Sequence, residues 1–362
     1  MTAFEGFSRG MGIGGWLTNY KRFHVIPEDK RMLLTIGDME HFANYVTERD
    51  IKYISSLGMD HIRLGFDQIT VETSPGTGRE EVLQHIDDFI EWCTGCGMNI
   101  VLNMHKAVGN YCDIATSAIL AEDEKLQAGF IACWEMLERR WHNKPEIVFE
   151  LLNEITHQDP NLCNAFMAKA VAAIRRLNPA RRLVIGAHNW NSPSGLSSLK
   201  VYDDPNVIYT FHFYAPHEFT HQRGVLMSGP LFYNRDMPYP GDADRYREYY
   251  KCVFNDDNAY KGISRIDREF LRSELEPAVQ FKKDHPDKIL WCGEFGTIRH
   301  ANILWRENYM RDLISLLKEY EIPYCVWNYL STPNDGNRFS LVDDDKREIL
   351  SPELAKIISG NV

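Results

Sequence analysis

The sequence predicts an α/β protein, specifically a (β/α)8 TIM barrel, and three observations carry that prediction. Eight short apolar runs recur along 362 residues, helical periodicity fills most of the intervals between them, and polar groups stand at the ends of six runs. Strands alternating with crossover-length segments call for a parallel sheet, and eight such units favour a closed barrel over an open doubly wound sheet.

In chain order, the strand-like runs occupy 11–14, 61–66, 99–104, 147–152, 183–187, 207–213, 289–292 and 324–327. Helical patterns lie at 47–57, 80–96, 124–141, 161–177, 270–283 and 305–320. The fifth interval offers only a short helix candidate at 194–199, and a last helix at 352–358 closes the chain. No GxGxxG follows any strand. The glycines between positions 10 and 15 precede a Trp and a loop rather than a helix, which argues against a nucleotide fold. More than fifty residues, rich in aromatics, Pro and Gly, separate the sixth strand from the next helix. Ordinary strand-to-helix loops run about 2–6 residues. The sequence is therefore read as one catalytic domain, 1–362, with an inserted subdomain at about 216–268 projecting over the cleft. A merely decorative insertion is the alternative.

Composition narrows the function. The chain is 44% hydrophobic and 25% charged, and 40 Lys+Arg against 51 Asp+Glu give a net charge of −11. That field repels phosphate backbones and anionic lipid, so neither nucleic acid nor membrane is an expected partner. No window approaches 18 consecutive apolar residues. No basic flank with an apolar run opens the sequence, so the expectation is a cytoplasmic enzyme, or a secreted one whose leader is absent here. A monomer is expected. Eight cysteines are too sparse for a disulfide framework. The one CxxC, Cys93 with Cys96, reads as the end of an amphipathic helix rather than a redox or metal motif. The histidines are scattered with no HExxH, and neither a metal nor a cofactor is expected.

The chemistry stands at the strand ends: Arg63 on the second, His105 on the third, Asn153 and Glu154 on the fourth, His212 and Tyr214 on the sixth, Glu294 on the seventh and Trp327 on the eighth. In a barrel these ends form one rim. Glu154 and Glu294 are a candidate carboxylate pair for glycoside hydrolysis, one protonating the leaving oxygen and the other acting at the anomeric carbon. Asn153 offers an amide to the sugar 2-hydroxyl. Arg63, His212 and Tyr214 can bias the ionisation of the two acids. Either Glu alone would read as an ordinary salt-bridged residue; the pair at matched strand ends makes the case.

These residues also match a family. Gly-Gly-Trp after the first strand, HIRLGFD, NMHKAVG, FELLNE, FHFY, CGEFG and VWNY together resemble glycoside hydrolase family 5, from about Gly10 to about Trp327. The resemblance implies a retaining double displacement without a cofactor, with Glu154 as acid/base and Glu294 as nucleophile. It implies that Arg63, His105, Asn153, His212, Tyr214 and Trp327 complete the site, with Trp327 a platform beneath the sugar. Within the family the likeness is to small bacterial endoglucanases with a large insertion after strand six; His217 and Glu218 stand where those carry two aromatics. Glu150, four residues before Glu154, is read as a structural carboxylate paired inside the barrel.

Other residues keep two readings. His188, Asn189 and Trp190 follow the fifth strand and either contact sugar or do not. Trp16 is either a packing residue or a sugar platform. The expected function is a retaining endo-β-1,4-glucanase acting on cellulosic or mixed-linkage β-glucan, or on oligosaccharides from it. The alternatives are an exo-acting or oligosaccharide-preferring β-glucosidase, or a family member acting on mannan, xyloglucan or β-1,3-glucan. From other classes, a non-catalytic glycan-binding barrel would not need both glutamates. A phosphate-dependent barrel enzyme would need a Gly-rich loop after strands seven and eight, which this sequence lacks.

Overall fold

The computed structural model of the chain describes residues 4–21, 30, 33–112, 118–332, 335–343 and 346–361. Eight parallel strands close into a barrel: β1 (Arg9–Leu17), β2 (His61–Asp67), β3 (Asn99–Lys106), β4 (Ile147–Glu150), β5 (Leu183–Gly186), β6 (Val207–Phe213), β7 (Ile289–Phe295) and β8 (Tyr324–Val326). Each strand pairs with its sequence neighbours, and β1 closes the ring on β8 through the registers Arg9 with Tyr324 and Met11 with Val326. The fold expectation is met. Only β6 coincides with its run; β2, β5 and β8 differ by one residue, β3 and β4 by two, and β1 and β7 by more. β1 and β7 run longer than their apolar runs, because glycines interrupt the hydrophobic pattern without ending the strand, and β4 stops at Glu150.

Four long helices begin where polar side chains take up free backbone N–H groups. Asp123 caps Glu124–Arg140, Asp159 caps Pro160–Leu177, Asp267 caps Arg268–Asp284 and Asn302 caps Ile303–Glu319. The interval after β5 holds a 3-10 helix, Pro193–Ser198, as expected. The helix Ile36–Asn44 is the longest without a counterpart in the sequence periodicity given above, apart from the inserted segment; only Asp38 and Phe42 of its nine residues are buried, too little to mark an apolar face. Cys93 lies buried in Glu80–Gly95, and Cys96 caps it.

Inside the barrel, alternation sorts the strand residues by depth. Val101, Val148, Val184, Ile208, Trp291 and Cys325 pack together at the N-terminal end, plugged by Phe4 and Phe7. Two residues further along β2, β3, β4 and β6 come Arg63, Asn103, Glu150 and Thr210, all fully buried. The outward residues of the same strands, such as Ile62, Leu102, Phe149, Tyr209 and Cys292, join the helices in the main core.

Between β6 and Arg268–Asp284 the chain forms the helices His217–Thr220, Ser228–Tyr233 and Ala243–Phe254, with Gly241–Asp242 paired antiparallel to Arg265–Ile266. Most of this segment's tyrosines serve its own packing. Tyr239, Tyr246 and Tyr249 are buried, and Tyr239 packs edge-on to Tyr309 and donates to Asp312, so the segment docks on the helix Ile303–Glu319.

Candidate active site

Two local irregularities assemble the site. Along β7, Trp291 is inward and Cys292 outward, so strict alternation would turn Glu294 out of the barrel. Instead the register with β6 shifts between Cys292 and Glu294, and Glu294 pairs with His212. The extra residue is Gly293, and a Cβ there would lie 2.4 Å from Thr210 Oγ1. This bulge re-aims the glutamate into the site. After β4 the chain leaves extended geometry, which lets consecutive residues Asn153 and Glu154 both reach the interior. Asn153 N donates to Met104 O (3.0 Å), and Asn110 Nδ2 donates to Glu154 O (2.7 Å), fixing the turn.

Arg63 organises the carboxylates. Its Nε and Nη2 donate to Glu150 (2.6 and 2.9 Å), its Nη1 to Glu294 Oε2 (2.6 Å), and its Nη2 also to Asn153 Oδ1 (2.5 Å). Burial disfavours its charge, but Glu150 and Glu294 raise its pKa above the ordinary arginine value. Glu150 is thus a structural carboxylate, as its depth in the strand suggests. Tyr214 OH donates to the other oxygen of Glu294 (2.7 Å), and burial beside Glu294 holds the phenol protonated, well above its usual pKa. Glu294 therefore has one donor fixed on each oxygen.

Glu154 Oε1 lies 2.9 Å from His212 Nδ1. Burial pushes the His212 pKa down to about 4, with Arg63 adding to the effect and Glu294 and Glu150 opposing it. The imidazole is neutral at ordinary pH and faces Glu154 as a hydrogen-bonding partner without a charge. One oxygen of Glu154, one ring nitrogen of His212 and one oxygen of Glu294 lie within 4.8 Å of one another. Among the described residues, these three are also the group able to hold a metal ion. The donor set argues for proton chemistry instead, because Arg63 and Tyr214 already compensate Glu294.

His105 donates from Nδ1 to Asn103 Oδ1 (2.9 Å) and accepts at Nε2 from Asn19 Nδ2 (3.2 Å); burial keeps it neutral, its pKa well below the usual value. Its ring stacks on Trp327 at 5.3 Å and 11°. The indole fits because β1 carries no side chains beneath it: a Cβ on Gly12 or Gly14 would come within 2.8 or 2.5 Å of the Trp327 ring. That is a packing role which neither the absence of a nucleotide loop nor the Gly-Gly-Trp motif disclosed.

Residues 29–332 match the family described as cellulase, glycosyl hydrolase family 5. The chain belongs to glycosyl hydrolase family 5. Endoglucanase C of Acetivibrio thermocellus is 36% identical to it over 363 residues, covering 98% of each chain. Cellodextrinase A of Ruminococcus flavefaciens is 29% identical, covering 82% of this chain and 78% of that one. Among solved structures, endoglucanase Cel5A from Thermotoga maritima shares the fold with a TM-score of 0.74 at 20% identity, over 99% of this chain and 100% of that one.

The structure of this family 5 chain brings Arg63, His105, Asn153, Glu154, His212, Tyr214, Glu294 and Trp327 to one rim. It corrects the sugar-platform reading of Trp16. The β1–β2 register shifts between Ile13 and Leu17, with Gly15 at φ +76°, and the indole turns out of the barrel, 1% exposed. There its Nε1 donates to Phe42 O (2.8 Å) and its ring packs edge-on to Phe89. Asn189 is at φ +58° and donates to Ser192 Oγ (3.1 Å), closing its own turn rather than reaching into the site. Trp190 is half-buried, with Nε1 donating to Cys112 O (2.9 Å). Sequence reasoning does not find Asn19, Asn110 or Cys112, whose thiol accepts from Asn153 Nδ2 (3.8 Å). All three lie in loops or beyond strand ends, where no periodicity marks them.

Proposed function

We propose that this chain is a retaining endo-β-1,4-glucanase, with Glu294 as nucleophile and Glu154 as acid/base. The carrying observation is the asymmetry of the pair. Glu294 is held by a guanidinium and a phenol, an arrangement suited to an anion, while the imidazole that Glu154 meets is neutral and Glu154 itself is partly open to solvent. One oxygen of each acid lies within 4.8 Å of one of the other, a close approach of the kind a nucleophile needs, since carboxyls of retaining enzymes stand about 5–5.5 Å apart and inverting ones about 6.5–9.5 Å.

In this reading Glu154 protonates the departing glycosidic oxygen as Glu294 attacks, then draws a proton from water to release the sugar. His212 holds the Glu154 carboxyl in place, Asn153 meets the 2-hydroxyl, and Trp327 with His105 supports the sugar ring. Trp190 extends the wall on the Glu154 side. Residues 216–268 form the inserted subdomain with Val225, Leu226, Met227, Leu231 and Phe232 exposed on it, and Val225 and Leu226 flank the β8 loop, where Asn337 accepts from their backbone. They offer apolar contact to a long chain emerging from the cleft.

The relatives named endoglucanase support the β-1,4-glucan assignment, and the one named cellodextrinase makes oligosaccharides the competing preference. Mannan belongs on the panel because a Cel5A structure from Thermotoga maritima is described in complex with mannotriose. Product profiles on carboxymethylcellulose, lichenan, mannan and cello-oligosaccharides decide the matter. Internal cleavage of carboxymethylcellulose, seen as a fast viscosity drop with little reducing sugar, is expected. Binding without turnover on every substrate would replace the enzyme with a glycan-binding barrel.

A further inference from the structure

We propose that His217 is a saccharide-contacting residue that sets substrate preference at the subsite adjoining the reaction centre. The proposal rests on the glycosidase reading above and adds to it a residue outside the eight of the rim.

His217 opens the helix His217–Thr220, three residues after Tyr214. Its ring lies 6.3 Å from that of Tyr214, whose hydroxyl touches Glu294, and 5.3 Å from that of His221. Tyr214 and His221 are buried, whereas His217 is exposed. It is nonetheless crowded enough that desolvation lowers its imidazole pKa, opposed by Glu218. The accessible ring stands beside Tyr214, whose hydroxyl touches Glu294, which places it within a sugar's length of the carboxylate pair. Its nitrogens make no hydrogen bond among the described residues; its contacts with Tyr214 and His221 are ring to ring.

The segment presenting His217 is anchored on three sides. Glu218 is buried, and its carboxylate accepts from Tyr260 OH (2.7 Å) within a group of tyrosines that includes Tyr250. Thr220 Oγ1 donates to Tyr214 O (2.7 Å), and Thr220 O accepts from Ile298 N (2.9 Å) in the β7 loop. A side chain so presented binds with less ordering cost than one on a free loop. A neutral imidazole carries one donor and one acceptor, which suits a sugar hydroxyl, and its flat ring suits a pyranose face. The two adjacent polar residues therefore divide the work, with Glu218 fastening the helix from behind while His217 meets the cleft.

The test uses the full chain, with His217→Phe and His217→Gln measured on cellotetraose and on an aryl β-cellobioside, and with cellotetraose binding by calorimetry. His217→Phe should lower kcat/KM on cellotetraose about tenfold, which is about 1.4 kcal/mol, with the melting temperature held. His217→Gln, which keeps a donor and an acceptor, should recover part of that loss. A loss confined to cellotetraose places the contact on the leaving-group side, and an equal loss on the aryl cellobioside places it on the other side. Unchanged kinetics and unchanged cellotetraose affinity in His217→Phe would overturn the proposal. If the parent chain turns over no β-glucan, the glycosidase reading fails separately, and cellotetraose affinity alone still decides whether His217 contacts saccharide.

Discussion

Arg63 joins Glu150 to Glu294: one guanidinium holds a fully buried carboxylate below and the proposed nucleophile above, with contacts of 2.6 Å to each. The fork geometry makes this possible, since a single ammonium cannot donate along three directions in one plane. Arg63→Lys should lower kcat at least about 100-fold through loss of preorganised donors. It should also destabilise the fold by roughly 3–5 kcal/mol, because Glu150 is left buried and poorly paired. Steady-state kinetics and chemical denaturation check both parts.

Removing the other donor on Glu294 is gentler. Tyr214→Phe takes away one charge-assisted hydrogen bond worth about 1.5–3 kcal/mol. The expected result is a kcat lower by roughly 10–100-fold with an unchanged fold. A near wild-type kcat would show that the Tyr214 bond does not persist through the reaction.

The roles of the acids separate by substrate. Glu294→Ala should abolish turnover on every substrate. Glu154→Ala should spare aryl glycosides, whose leaving group needs no proton, and added azide should accelerate it and give a β-glycosyl azide. Proton NMR of the first-formed sugar should show the β-anomer; an initial α-anomer means inversion and removes Glu294 as nucleophile.

Acid should destabilise the fold through its buried histidines. The His212 pKa falls from an ordinary 6.5 to about 4 on folding, so between those values the unfolded chain binds more protons than the folded one. Stability is therefore lost as pH drops from 6.5 towards 4, by up to about 3 kcal/mol from His212. Buried His61, His105 and His221 are shifted in the same direction. Urea unfolding at pH 7, 6, 5 and 4 measures the slope, and a flat profile across that window would contradict the buried neutral assignment.

The slot beneath Trp327 gives a test of packing against chemistry. Gly14→Ala would place a methyl 2.5 Å from the indole, which must shift. Overpacking of this kind costs about 1–3 kcal/mol, and the displaced platform should raise KM. Trp16→Ala should instead cost about 3–5 kcal/mol of stability. A conservative Trp16→Phe should leave KM on cellotetraose unaltered, as expected of a side chain turned out of the site.

Much of this protein is legible as sequence. The eight apolar runs announce the barrel because parallel strands buried on both faces must be apolar along their length. Arg63, His105, His212 and Trp327 announce the rim because polar groups end those runs at the face where barrel sites form. The helices read at 161–177 and 270–283 start within two residues of those positions, where Asp159 and Asp267 cap them. What only the tertiary structure decided is which way particular residues point. Strict alternation turns Glu294 out and Trp16 in; the structure does the reverse, through shifts at Gly293 and Gly15. Those shifts answer to Thr210 on the neighbouring strand β6 and to Phe42 and Phe89 outside the barrel, partners far away along the chain. Periodicity is a property of one strand, whereas a bulge is a compromise between neighbours, so only the assembled barrel places the carboxylate pair.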